Sequence, residues 1–197
     1  MKKGLIITLV IIAIVVIGGY SFFKGTYNSM VTMEEGISGS WAQVENQYQR
    51  RADLIPNLVN TVRGYADFEQ ETLTGVIEAR AKATSVQVNP ENLDPAQIAQ
   101  FQQAQDGLSS ALGRLMVVVE RYPDLKANQQ FSQLQVQLEG TENRISVERM
   151  RFNESVQSYN AYIRQFPKNI IANMSGFERK GYFEASQGAD QAPVVEF

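Results

Sequence analysis

The chain has 197 residues, 44% hydrophobic and 20% charged, enough to bury one sizeable core but short for two large domains. It contains neither cysteine nor histidine, which excludes a disulfide frame and a thiol nucleophile and removes the commonest metal ligand and general base. Lys2 and Lys3 precede a long apolar run and leave 16 basic against 21 acidic residues beyond it, so nucleic acid, whose phosphates need a basic face, is not expected as a partner.

That run is GLIITLVIIAIVVIGGYSFF, Gly4 to Phe23, with no charge over 20 residues. As a helix rising 1.5 Å per residue it spans a hydrocarbon core of roughly 30 Å. A signal peptide is the rival reading, but its apolar region normally covers about 7 to 15 residues and ends in a small-x-small site, which does not follow cleanly here. Residues 1–25 are therefore expected to form an uncleaved anchor. Lys2 and Lys3 before it, against Lys24, Glu34 and Glu35 after it, favour a cytoplasmic N-terminus and an extracytoplasmic body.

From Met30 onward, apolar and small residues recur in steps of three and four: Ile37, Trp41, Val44, Tyr48, Ile55, Leu58, Val62, Tyr65, Val76, Ala79 and Ala83. This heptad-like seam is interrupted by Glu34, Arg51, Glu69 and Thr72. Pro56 lies inside it and removes the hydrogen bond to the carbonyl of Ala52, yet the register survives, which predicts a bend and not an end. A break is more plausible at GYADFE, Gly64 to Glu69, with Asp67 as a new cap. The stretch TSVQVNPENLDPAQ has no helical period and reads as a loop, ending in Asp94 as N-cap, Pro95 at the first helical position and Gln97 completing a capping box.

The next helix follows Ile98, Phe101, Leu108, Leu112, Leu115, Val119 and Tyr122, with Gln105 as its one polar seam position, and stops at Pro123 and Asp124. The last long helix carries Phe131, Leu134, Leu138, Ile145, Phe152, Tyr159, Tyr162 and Phe166, broken by Thr141 and Glu148 and widened by Val156 and Ile163. Pro167 closes it. Residues 168–197 read as a tail laid along the body, with Phe177, Tyr182, Phe183 and Phe197 as possible anchors.

Long stripes joined by short loops imply an all-α fold: a single N-terminal transmembrane helix and then, over residues 26–167, an elongated antiparallel up-and-down bundle of three long helices. If Gly64 marks a true turn, the bundle has four.

Chemistry has little to stand on. No phosphate cradle, nucleophile elbow or metal-binding cluster is present, and acidic pairs such as Glu34 with Glu35 or Glu69 with Glu71 are expected as solvated surface charge. No enzymatic activity and no cofactor are expected. Asn46, Arg50, Asp53, Asn57 and Asn60 form a polar ridge roughly opposite the first seam: a solvent face with an Arg50–Asp53 pair, or a docking strip for a partner. The polar seam residues Arg51, Gln105, Thr141 and Glu148 read as layers that fix helix register. Asn153 and Asn160, seven residues apart beside Val156 and Ile163, sit at the rim of the apolar face, where an amide can reach a neighbouring backbone.

The stretches RADLIPNLV, YPDLKAN, LEGTENRI and FNESVQSYN, in this order behind an N-terminal anchor, resemble the LemA family of membrane proteins over nearly the whole chain. Even the ending PVVEF is similar to family tails. The resemblance implies a membrane-anchored helical bundle of the bacterial cytoplasmic membrane, with no established enzymatic activity and no catalytic residues to carry over. The expected function is a non-enzymatic scaffold or interaction protein of the cell envelope, with a second copy or another membrane protein as partner. The alternative is an envelope sensor binding a small ligand between bundle helices, which requires a cavity lined by the polar seam residues.

Overall fold

A computed structural model describes residues 2–64, 69–90 and 92–184. The described residues are helical, without strands: α1 (Lys2–Arg63), α2 (Gln70–Ser85), α3 (Pro95–Val119), the single turn α4 (Pro123–Lys126), α5 (Gln129–Arg164) and α6 (Lys168–Ser175). The chain divides into two compact units, one of Met1–Gly39 with Glu154–Arg179, the other of Ser40–Asn153 with Lys180–Phe197.

The second unit holds the main core. Ile55, Leu58, Val59 and Val62 of α1 pack with Leu73, Val76 and Ala83 of α2, Leu108, Ala111, Leu115, Val118 and Val119 of α3, and Phe131 and Leu138 of α5. Each of these valine, leucine, isoleucine and phenylalanine side chains contributes about 1.5–3 kcal/mol by leaving water, the two alanines less. Helix directions follow from the contacts: Trp41 meets Phe101 while Arg51 meets Gln105 and Ser109, so α1 and α3 run the same way. Trp41 meets Phe152 while Arg51 meets Glu142, so α5 runs opposite to both. With α2 turning back after Gly64, this unit is an up-and-down bundle of four helical stretches, the larger of the two counts the seam allows.

Local sequence explains the element ends. α1 passes through Pro56 without ending, and the seam residues on both sides of it stay buried. The break after Gly64 is real, since α1 closes at Arg63 and α2 opens at Gln70; Tyr65 and the cap expected at Asp67 lie outside the described residues. Asp94 caps α3 by accepting from the Ala96 N–H at 2.8 Å, but the reciprocal half of the box is missing because Oε1 of Gln97 has no partner. In YPDLKAN, Pro123 opens α4, Leu125 is buried, and Oδ1 of Asn128 caps α5 by accepting from the N–H groups of Gln130 and Phe131 at 2.9 and 3.0 Å.

In the first unit, Met30 and Ile37 of α1, Val156, Tyr159 and Ile163 of α5, and Ile171 and Ala172 of α6 are buried. α6 ends at Gly176, whose φ of 77° needs a glycine, and the Gly176 N–H donates to the Ala172 carbonyl. The apolar run of α1 is long enough to cross a membrane, and its large side chains from Leu5 to Phe23 are exposed.

Candidate functional site

The polar residues of the bundle unit fall into three groups. The first centres on Arg51, which is only 1% exposed. Its Nη1 donates to Ser109 Oγ at 2.7 Å and to Glu142 Oε2 at 2.8 Å, and its Nη2 to Oε1 of Gln105 at 2.7 Å. Gln105 in turn donates through Nε2 to the Ala83 carbonyl at 3.2 Å. One guanidinium thus ties α1 to α3 and α5, and its acceptor on α3 reaches α2. Burying a cation costs several kcal/mol unless its donors are met, and Glu142, 52% exposed, supplies the charge while staying hydrated. Arg51 Nε stays unpartnered, and its Cζ lies 5.1 Å from the Tyr48 ring centre. Burial pushes the Tyr48 hydroxyl pKa up, while Arg149 and Arg51 pull against that rise.

A related contact resolves Pro56. The Ala52 carbonyl, which loses its helical donor to the proline, accepts from Nε of Arg80 on α2 at 2.7 Å. A local defect in α1 therefore becomes a tie to the next helix.

The second group holds an extended segment, residues 181–184, against the bundle. Asn153 reads the backbone of Phe183 in both directions, donating through Nδ2 to its carbonyl at 2.9 Å and accepting at Oδ1 from its N–H at 3.0 Å. Gln102 does the same for Glu184, at 3.0 and 3.1 Å, and Arg149 also donates to the Glu184 carbonyl. Between these forks the Phe183 ring is buried among Trp41, Phe101 and Phe152, stacked on Trp41 at 5.7 Å and 11°. At the head of the segment the Gly181 N–H donates to the Leu93 carbonyl, and a Cβ at residue 181 would lie 2.7 Å from Cα of Pro95. Only glycine fits there.

The third group is the ridge. Asn46, Arg50, Asp53, Asn57 and Asn60 are all exposed on α1. Asp53 accepts from Nε2 of Gln49 at 2.8 Å in place of the expected Arg50.

Of the remaining sequence candidates, Thr141 is buried and donates to the Gln137 carbonyl within its own helix, Glu148 pairs with Arg151 at 2.8 Å, and Asn160 is buried in the first unit. The structure thus brings Arg51 and Gln105 together, gives Asn153 a backbone partner, and leaves Thr141 and Glu148 with partners on their own helix. A cleft of about 320 Å³ opens beside Arg51, lined by Leu112, Gly113, Met116 and Leu138 together with Ser109, Gln135, Glu139 and Glu142. Sequence reasoning missed Arg80, Gln102, Ser109, Glu142 and Arg149, whose roles depend on residues 28 to 91 positions away. The capping role of Asn128 was within reach of the cap rule, since an asparagine three residues before the first apolar seam residue, Phe131, is a usual helix start.

Among known proteins, the LemA family model matches residues 40–197. The magnetosome protein MamQ of Magnetospirillum gryphiswaldense is 28% identical over 188 residues, which cover 86% of this chain and 68% of that protein. The magnetosome protein MamQ 2 of Paramagnetospirillum magneticum is 27% identical with the same coverage. Protein LemA of Metamycoplasma hominis is 24% identical over 168 residues, 85% of this chain and 73% of that protein. With the family model covering well over half of its length, the chain belongs to the LemA family.

Proposed function

We propose that this chain is a non-enzymatic, single-pass membrane protein whose helical bundle serves as an interaction scaffold. The observation that carries the reading is α1, where large apolar side chains from Leu5 to Phe23 stand exposed on a helix that then supplies core residues from Met30 to Val62. An apolar surface of that length is far larger than water tolerates on a monomer, and lipid satisfies it at no cost in unpaired backbone groups. The two lysines before the run favour a cytoplasmic N-terminus and an extracytoplasmic bundle in a bacterial cytoplasmic membrane.

The scaffold reading draws support from how the polar groups are used. Arg51, Gln105 and Asn153 bond to neighbouring helices or to backbone, which is the pattern of residues that fix packing. The polar strip from Asn46 to Asn60 is then the surface offered to a partner, a second copy or another membrane protein. A photo-crosslinker placed at Asn57 and at Asn60 in intact cells, with Gln137 on α5 as the control position, tests this. Protein adducts specific to the two ridge positions are the expected result; lipid adducts alone, or the same adducts from Gln137, refute the ridge as a docking strip.

A further inference from the structure

The first unit carries a second apolar surface. Phe166, Ile170 and Met174 are 83%, 50% and 75% exposed, spaced four residues apart along the turn before α6 and α6 itself. The other side of α6 is already satisfied, since Ile171 and Ala172 are buried. An eight-residue helix thus has one apolar face packed and one bare.

Its position says what covers the bare face. Phe177, just beyond α6, meets Tyr27 edge to face at 5.5 Å, and Tyr27 lies one turn past Phe23, the last residue of the apolar run. At 1.5 Å per residue that turn is about 6 Å of rise, and the headgroup layer on each side of a bilayer is about 5 to 7 Å thick. Phe166 stands in the turn between the end of α5 at Arg164 and the start of α6 at Lys168, in the same unit as Tyr27 and Phe177. Lys24, Arg164 and Arg179 are exposed in this unit, as are Glu35, Glu154 and Glu178; Lys24, Glu178 and Arg179 lie within three residues of Tyr27 or Phe177.

We infer that α6 is a second membrane contact, an interfacial helix that lays Phe166, Ile170 and Met174 into the headgroup and acyl boundary beside the spanning helix, with the basic residues facing anionic headgroups. The inference rests on α1 crossing the bilayer, so its test must separate the two. The chain has no cysteine, so one engineered cysteine carries a single nitroxide probe. The full chain is reconstituted in vesicles of phosphatidylethanolamine and phosphatidylglycerol, and probe depth is read from oxygen against aqueous-nickel accessibility, in variants Ile12→Cys, Ile170→Cys, Met174→Cys and Asn57→Cys.

The expected result is a probe at the bilayer centre for Ile12→Cys, probes about 5–10 Å into the interface for Ile170→Cys and Met174→Cys, and an aqueous probe for Asn57→Cys. Aqueous probes at the two α6 positions with Ile12→Cys deep overturn the α6 contact alone. A shallow or aqueous Ile12→Cys overturns the spanning reading and the inference with it. Probes on α6 shielded from both oxygen and nickel assign the face to a protein partner and likewise overturn the lipid contact.

Discussion

At Asn153 a single carboxamide holds both the N–H and the C=O of Phe183, so its replacement strands two backbone groups that the fold has withdrawn from water. Asn153→Leu should therefore free the 181–184 segment, and Gly181→Ala should do the same from the other end by driving a methyl into the Pro95 backbone. Chymotryptic cleavage at Tyr182 and Phe183 is expected to accelerate by at least about tenfold in either variant, a factor matching about 1.4 kcal/mol of local opening. An unchanged rate would mean that the Phe183 ring and the Gln102 and Arg149 contacts to Glu184 hold the segment without the altered residue. The sequence placed Asn153 at the rim of an apolar face with an amide able to reach a backbone; that the backbone belongs to a residue 30 positions later was not legible, because nothing local distinguishes Phe183 from the other aromatics of the tail.

Tyr159 gives the opposite lesson. Its hydroxyl is buried without a partner, and burial first, then the charges of Glu34 and Glu178, push its pKa up. The neutral phenol is thus favoured in the folded state. Stability tied to this group is fully present below the unfolded tyrosine value of about 10 and falls as pH rises from there toward the folded value. Tyr159→Phe should raise stability by about 1 kcal/mol at neutral pH, by removing an unsatisfied hydroxyl, and flatten the loss above pH ~10. Chemical unfolding in mild detergent at neutral and alkaline pH measures both effects, and a destabilised Tyr159→Phe would show that the hydroxyl has a partner.

Among the helices, the bond from Arg80 to the Ala52 carbonyl is the clearest coupling. Pro56 deprives that carbonyl of its helical donor, a deduction available from sequence, while the donor that replaces it depends on α2 folding back against α1. Arg80→Met should cost about 1–3 kcal/mol in the native chain because the carbonyl becomes an orphan. In a Pro56→Ala background, where residue 56 again offers an N–H, the same substitution should cost at least about 1 kcal/mol less. Equal costs in both backgrounds would sever the proposed link. Four helices in place of three also follow from a local weakness, the glycine-led break between Arg63 and Gln70, whose strength the seam alone did not reveal because the apolar register runs on across it.

For the molecule as a whole, topology and assembly each have a direct readout. With the bundle outside the cytoplasm, Asn89→Cys in the loop between α2 and α3 should react in intact cells, outer barrier permeabilised, with a membrane-impermeant thiol reagent. Protection until the inner membrane is lysed would invert the topology. If the ridge docks a second copy, the chain in mild detergent should elute as a concentration-dependent oligomer, and a monomer at every concentration would leave the partner to be another protein.

The sequence by itself determined the apolar span, the helical periods, the loop within TSVQVNPENLDPAQ with its Asp94 cap, most of the buried seam and the family. These are properties of local order: a run of 20 uncharged residues, a repeat of three and four, a proline at a first turn. Only the tertiary structure decided which helix answers each polar residue: Arg51 to Glu142 and Gln105, Arg80 to the carbonyl under Pro56, Asn153 and Gln102 to the backbone of residues 183 and 184. The reason is physical. Apolar burial is non-directional and leaves a periodic trace along the chain, whereas a hydrogen bond needs one partner within about 3 Å, and that partner is set by how distant segments meet.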